Sequence, residues 1–165
     1  MLILIAALVI LGSLIAIIVV FFKEQKRLVA REQEIKGKVN KTEEVLKADI
    51  GILEQVINII NTKAGKEAIP KSKYLSEDLL KDLYGIRTLI GKINELDKEL
   101  ITQFETYPEL QRNPEITEKL KKHKYLKQKV VKEIERYNQE VDEYNKEISG
   151  VFYQYMDNVK EINKI

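Results

Sequence analysis

The first 22 residues carry no charged side chain, and this stretch constrains the chain more than any other. A helix rises 1.5 Å per residue, so Met1 to Phe22 would span about 33 Å, slightly more than the ~30 Å hydrocarbon core of a bilayer. A cleaved signal peptide would need a basic start and a small-residue cleavage site, which this stretch lacks. Residues 1–22 therefore predict an uncleaved transmembrane anchor, in which Gly12 and Ala16 would let two such helices pack closely.

Basic residues follow the apolar stretch directly, whereas no charged side chain precedes it. The positive-inside rule keeps such a basic flank in the cytoplasm. We therefore expect a single-pass membrane protein with its N-terminus outside and the rest of the chain cytoplasmic. The basic residues of this flank are Lys23, Lys26, Arg27, Arg31, Lys36 and Lys38.

Residues 23–165 have the composition of a helical domain, with three prolines, six glycines and many Lys, Glu, Ile and Leu residues. Apolar residues spaced by threes and fours predict helices at about 23–62, 76–106 and 114–149, the third either bending at Gly150 or continuing past it. Short connections place successive helices antiparallel. We therefore expect an all-α fold, in which the transmembrane helix continues into an antiparallel three-helix bundle of up–down–up order.

Local signals predict where these helices begin and end. Gly65 and Pro70 mark the first break, and Ser76 is a candidate N-cap for the second helix because two acidic residues follow it. Asn113 followed by Pro114 is the typical start of a helix, with a capping side chain and then a proline whose missing N–H costs nothing.

Lysines crowd the first half of the third helix. In an up–down–up order this half begins near the membrane, where each Lys or Arg close to an anionic leaflet contributes about 1 kcal/mol to binding. An ordinary solvated face with i,i+4 ion pairs explains the same pattern equally well. Nucleic acid is not expected as a partner, because the net charge is only +2 and no binding motif surrounds the lysines. The predicted contacts with anionic lipid are Lys23, Lys26, Arg27, Arg31, Lys121, Lys122 and Lys124.

The sequence predicts no catalytic, metal or cofactor site. It has no cysteine, no glycine-rich phosphate loop and one histidine, His123, which we expect to be exposed and inert among its lysines. Asp49 falls on the apolar seam of the first soluble helix, and a buried carboxylate must be paired or neutral. We interpret Asp49 as a register-setting polar residue that meets a Lys or Tyr of another helix, the alternative being a position at the edge of the seam. Tyr137 and Tyr144 are either core aromatics or a ladder that binds a partner.

A set of motifs in this chain resembles the LemA-like family. The turn Tyr107-Pro108-Glu109-Leu110 precedes a Tyr-Asn pair that is repeated one heptad later, and Lys47-Ala48-Asp49-Ile50 resembles the family's basic-basic-x-Asp-Leu motif. The chain departs from the family at Gly51-Ile52-Leu53, where a Pro-Asn-Leu is usual, and at Gly150-Val151-Phe152, where a Phe-Pro segment is usual. The resemblance implies an N-out membrane anchor, a cytoplasmic helical bundle and no established enzyme activity. The residues that carry it are Asp49, Tyr107, Pro108, Asn113, Tyr137, Asn138, Tyr144 and Asn145.

These features favour a membrane-anchored structural scaffold that self-associates into a homo-oligomer, because parallel anchors confine neighbouring copies in two dimensions. The alternative is an adaptor whose bundle docks a partner protein at the membrane. An enzyme, or a regulatory subunit of one, is disfavoured because no catalytic constellation is present.

Overall fold

The computed structural model describes residues 2–65, 67–150, 153–156 and 158–165, and the side chains of all of these except 2–7 and 154. Every regular element in those ranges is helical, as the composition predicts. Four long helices, two single turns of α-helix and two 3-10 turns follow one another along the chain. They are α1 (Leu2–Gly37), α2 (Val39–Ala64), α3 (Lys71–Tyr74), a 3-10 turn (Glu77–Lys81), α4 (Leu83–Thr106), α5 (Pro108–Gln111), α6 (Pro114–Ile148) and a second 3-10 turn (Tyr153–Tyr155).

Two compact units make up the chain. The N-terminal unit comprises Met1–Gly37 and Glu140–Ile162, and the bundle unit comprises Lys38–Gln139 and Asn163–Ile165. The described core of the N-terminal unit consists of buried side chains of α1, of the last nine residues of α6 and of the segment that follows α6. Those side chains are Leu28, Ile35, Val141, Tyr144, Ile148, Met156 and Ile162.

From Leu8 to Ala64 the chain is helical and contains a stretch long and apolar enough to cross a membrane. The large apolar side chains from Leu8 to Val20, and that of Phe22, are between half and two thirds exposed on every face of the helix, whereas Phe21 is partly buried. Met1 and the side chains of the next six residues, which belong to the predicted anchor, lie outside the described part. The single helix expected over 23–62 is divided at Lys38, which belongs to neither α1 nor α2. Its φ of −71° and ψ of −19° are nevertheless helical.

Three of the predicted helix boundaries can be compared directly with the structure. The left-handed residue Gly65, with φ of 65°, ends α2 as predicted. The predicted cap at Asn113 is also confirmed, because its Oδ1 accepts hydrogen bonds from the N–H groups of Glu115 (2.9 Å) and Ile116 (3.3 Å). The predicted cap at Ser76 is wrong, since its side chain makes no capping bond. Helix α4 begins only at Leu83, capped by an Asp82 side chain that accepts from the Gly85 N–H (2.6 Å).

Residues 67–82 form a crossover rather than a tight turn. Asn61 binds the backbone of Ile69, and Lys71 forms an ion pair with Glu54 at 2.7 Å, so the segment runs back along α2. It then passes so close to α4 that a Cβ built on Gly85 would lie 2.2 Å from the carbonyl oxygen of Leu79. This path returns the chain towards the start of α2 before α4 begins.

The crossover changes the order of the helices in the bundle unit. Lys119 Nζ donates to Gln55 Oε1 (2.6 Å) and His123 contacts Asp49, so α6 runs antiparallel to α2. Helix α6 also runs antiparallel to α4, because only residues 107–113 separate the two and because Asp97 contacts both His123 and Lys127. Helices α2 and α4 are therefore parallel to each other. These contacts do not agree with the up–down–up order expected from the sequence. The reason is that residues 67–82, between α2 and α4, form a crossover and not a turn.

Helix α6 ends at Ile148, with Gly150 just beyond it, so the described part shows no continuation of the third helix through that glycine. Val151 and Phe152, where the chain departs from the LemA-like pattern, lie outside the described residues.

Candidate functional site

A buried charge cluster joins all three long helices of the bundle unit. Asp49 of α2 and His123 of α6 are 1 % and 5 % exposed, and Asp97 of α4 lies at their edge. The imidazole Nδ1 is 2.7 Å from Asp49 Oδ1, and Nε2 is 2.9 Å from Asp97 Oδ1. Lys127 binds the second oxygen of Asp97. The cluster thus holds two carboxylates and two cationic groups within hydrogen-bonding distance.

The carboxylates determine the charge of His123. Burial alone would lower the pKa of this histidine, but hydrogen bonds to Asp49 and Asp97 outweigh it and raise the pKa to about 9. Burial would raise the pKa of Asp97, and the hydrogen bonds from His123 and Lys127 lower it instead. At neutral pH the ring is therefore an imidazolium that donates one N–H to each carboxylate.

This geometry corrects the expectation for His123, which is buried and paired rather than exposed and inert. The expectation for Asp49 is confirmed in its burial and its pairing with another helix, although its partner is a histidine rather than a Lys or Tyr. Both ring nitrogens donate to carboxylates, so the histidine presents no free lone pair to act as a base. The described residues also contain no group of three or more His, Cys, Asp or Glu side chains arranged to hold a metal ion. The cluster is suited to fixing helix register.

A groove of about 930 Å³ opens beside this cluster between α4 and α6. Its apolar lining includes Ile101 and Val131, which are 59 % and 49 % exposed. Lys124 and Lys132 also line it. An apolar surface next to cations is the kind of surface that takes an amphipathic segment with acidic residues.

Ion pairs link the basic flank of the apolar helix to the end of α6 in the N-terminal unit. Arg27 binds both Glu24 and Glu147, and Arg31 binds Glu147 and approaches Glu143 at 3.6 Å. The hydrogen bonds that Arg27 donates to Glu24 and Glu147 raise the pKa of Arg27 further above its already high value. The basic flank thus contacts an acidic part of α6.

The lipid contact expected of the lysine-rich start of the third helix stays a prediction. The residues of α6 that contact Arg27 and Arg31 are glutamates of the N-terminal unit. Lys121, Lys122 and Lys124 belong to the bundle unit. Lys23 and Lys26, in contrast, have exposed side chains in the N-terminal unit.

The asparagines of the two Tyr-Asn pairs bind the backbone of residues 158–165, which we call the tail. In the N-terminal unit, Asn145 Nδ2 donates to the Ile162 carbonyl (2.9 Å) while the Ile162 N–H donates to Asn145 Oδ1 (3.0 Å). In the bundle unit, Asn138 makes the same two bonds with Ile165, at 3.0 and 2.9 Å. Each asparagine side chain therefore donates one hydrogen bond to, and accepts one from, the backbone of a single residue, as a paired β-strand would. The pattern of the sequence does not predict these contacts.

The tyrosines of the two pairs are buried, as one of the two sequence interpretations expects. The Tyr137 hydroxyl donates to the Asn163 carbonyl at 2.9 Å. Burial, together with the nearby carboxylate of Glu32, raises the pKa of Tyr144 to about 12. Both phenols therefore remain protonated at neutral pH.

The other predicted residues lie apart from these contacts. Tyr107 and Pro108 begin the short helix α5, and Leu110 of that turn is buried in the core. Gly12 has no atom within 4 Å of the position that a Cβ would take, and Ala16 is exposed on the same helix. This part of α1 is therefore uncovered within the chain.

Comparison with known proteins adds no relative to these observations. No family model, no curated protein and no solved structure matches this chain.

Proposed function

We propose that this chain is a membrane-anchored, self-associating structural scaffold of the LemA-like family, without catalytic activity. The observation that carries the proposal is the exposure of every large apolar side chain from Leu8 to Val20. A soluble helix normally buries such a face, whereas a helix in lipid is stabilised with all of its faces exposed. The Tyr-Asn pair repeated one heptad apart, at 137–138 and 144–145, supports the family assignment.

The proposed topology is single-pass, with the N-terminus outside and the bundle unit in the cytoplasm. The chain contains no cysteine, so a single Lys122→Cys substitution gives a unique and exposed labelling site. We expect a membrane-impermeant maleimide to label this variant only after intact cells are permeabilised. A cysteine added before Met1 is the matched control and should react without permeabilisation. Labelling of Lys122→Cys in intact cells would refute the cytoplasmic placement.

Self-association is proposed to use the small-residue face of the membrane helix. Gly12 and Ala16 lie one turn apart, and small residues let two helix backbones approach closely in lipid. In mild detergent at micromolar concentration, native mass spectrometry should record oligomers of the wild type and chiefly monomers of Gly12→Ile/Ala16→Ile. Leu8→Ile/Leu11→Ile, which changes shape but not size, is the control. A wild type found only as a monomer would contradict the proposal.

Lipid contact is proposed only for the exposed residues of the basic flank. Lys23 and Lys26 have exposed side chains, and each lysine near an anionic leaflet contributes about 1 kcal/mol. In bilayers of mixed composition, Lys23→Gln/Lys26→Gln should therefore bind about thirty times less anionic lipid than the wild type. If the variant binds as much anionic lipid as the wild type, the basic flank serves only to orient the helix.

One observation favours the alternative function of an adaptor. The groove between α4 and α6 exposes Ile101 and Val131 beside Lys124 and Lys132, which fits an acidic amphipathic helix of a partner protein. A photo-crosslinker at position 131 should then recover a foreign protein and no second copy of this chain. Crosslinks to copies of this chain alone would favour the scaffold.

A further inference from the structure

The groove between α4 and α6 has the size and the lining of a small-molecule site. Its volume of about 930 Å³ lies within the range of roughly 300–1,000 Å³ that such sites occupy, and they occur between the helices of bundles. Every residue that lines it belongs to the bundle unit, so the groove is complete within one compact unit. Its apolar wall includes Ile101, Phe104 and Val131, and about half or more of Ile101 and Val131 is exposed. A ligand with a hydrocarbon chain would cover this exposed apolar surface.

The groove is elongated along α6. The lining residues of α6 run from Leu120 to Glu135, which corresponds to about 22 Å of helix. On α4 they run from Asp97 to Phe104, about 10 Å of helix. This shape suits a linear chain better than a compact, rounded ligand.

The charged side chains of the groove leave one positive charge over. Two carboxylates and four cations line it, and Asp49, which binds the far side of the charged His123 ring, adds a third carboxylate. Three cations are therefore matched by three carboxylates, and a ligand with a single negative charge would neutralise the groove. The lining cations are His123, Lys124, Lys127 and Lys132, and the lining carboxylates are Asp97 and Glu135.

Lys124 is the cation best placed to bind this anion. Lys127 already binds Asp97. Lys132 lies three residues before Glu135 on α6, a spacing at which opposite charges attract each other. The exposed Lys124 side chain can lay its methylene groups along the apolar wall while its ammonium group stays at the solvent edge.

The surplus of one charge also discriminates between two possible occupants. A long-chain fatty acid consists of one apolar chain and one carboxylate, so both of its parts find a counterpart in the groove. An acidic amphipathic helix of a partner protein would bring several carboxylates, and the additional ones would meet Asp97 and Glu135. Like charges brought together in this way oppose binding, so the charge pattern favours the fatty acid.

We propose that the groove between α4 and α6 binds a long-chain fatty acid, with the carboxylate on Lys124 and the hydrocarbon chain along Ile101 and Val131. The site consists only of residues of the bundle unit. It therefore depends neither on the proposed self-association nor on the proposed topology.

Photolabelling of the full-length protein in phosphatidylcholine nanodiscs tests this site. The probe is palmitic acid with a diazirine in the middle of its chain, and peptide mass spectrometry locates the labelled residues. We expect label on α4 near Ile101 and on α6 near Val131. Excess palmitic acid should remove this label, whereas methyl palmitate, which has the same chain without the charge, should compete about fivefold less well. Label confined to the membrane helix would overturn the inference and leave the groove to a partner helix.

Two substitutions test the charge and the chain separately. Lys124→Met keeps the length of the side chain but loses its charge, so about fivefold more probe should be needed for half-maximal labelling. Lys129→Met is the matched control, because Lys129 is exposed on the same helix but does not line the groove, and labelling should not change. Val131→Trp fills the groove from an exposed position and should abolish the label near Ile101. Circular dichroism verifies that each variant is folded.

Three results of these experiments would contradict the proposal. Unchanged labelling of Lys124→Met would overturn the contact with the carboxylate, and full labelling of a folded Val131→Trp would overturn the place of the chain. The third concerns phosphatidylglycerol with the same diazirine, which also has one negative charge but has two chains that hold it in the bilayer. It should give no label in the groove, and labelling as strong as that by the fatty acid would assign the groove to bilayer lipid instead.

Discussion

Replacing His123 by glutamine removes the cationic group that contacts both Asp49 and Asp97. Glutamine can still donate to one carboxylate, but it cannot neutralise either. The pKa of His123 is raised from 6.5 to about 9 in the folded protein. Each pKa unit corresponds to 1.36 kcal/mol, so the charged histidine contributes about 3 kcal/mol to the free energy of unfolding.

The sign of the pH dependence follows from the raised pKa. This contribution is complete below pH 6.5, because histidine is then protonated in both the folded and the unfolded chain. It decreases as the pH rises and is lost above about pH 9, where the folded histidine also becomes neutral. The stability gap between wild type and His123→Gln should therefore be largest at pH 6 and smaller by about 3 kcal/mol at pH 9.5.

Urea unfolding in mild detergent, followed by circular dichroism at several pH values, measures this gap. Lys122→Gln is the matched control, because it removes a positive charge from the neighbouring, exposed position and should change stability by less than about 0.5 kcal/mol. Parallel curves for the wild type and His123→Gln between pH 6 and 9.5 would refute the assignment of a buried imidazolium.

Two further predictions concern the crossover and the start of α6. Gly85→Ala should destabilise the protein by about 1–3 kcal/mol, because the new Cβ would collide with the Leu79 carbonyl. A Cβ at Gly91, on the same helix, meets no atom within 4 Å, so Gly91→Ala should stabilise the protein by about 0.5–1 kcal/mol. Equal effects of the two substitutions in thermal unfolding would exclude the close approach of Gly85 to Leu79. Asn113→Ala should lower stability by about 1 kcal/mol through loss of the cap, and an unchanged midpoint would mean that the cap contributes nothing.

The sequence predicts those features that depend on neighbouring residues. The start of α6 at Pro114 and the end of α2 at Gly65 follow from a capping asparagine and from a glycine that accepts a positive φ. The exposed apolar helix follows from its composition. Each of these features is decided within one or two turns of helix, so periodicity and capping rules suffice.

The order of the helices depends on contacts that the sequence does not display. The path of the crossover is set by Asn61 and by the Lys71–Glu54 ion pair, which act between residues distant in sequence. The number of residues between α2 and α4 is compatible with a turn and with a crossover. Nothing local distinguishes the two, and the parallel arrangement was missed for this reason.

The position of His123 in the sequence indicates burial, although lysines surround it. It lies seven residues before Val130 and three before Leu126, on the same apolar stripe, and both are buried. An ionisable residue on such a stripe is buried only if other helices supply partners, and both carboxylates come from elsewhere in the chain. Its position on the stripe predicts burial, whereas its charge partners are visible only in the fold.

The buried charges come from three different helices, and this affects the route by which the bundle unit folds. The helices that carry Asp49 and Asp97 are synthesised before the one that carries His123, and a tight α2–α4 pair formed early would have to desolvate a carboxylate with no cation beside it. Such a pair is disfavoured, so we expect the earlier helices to pack tightly only after α6 supplies the cation. On this argument the docking of α6 completes the native arrangement of the bundle unit.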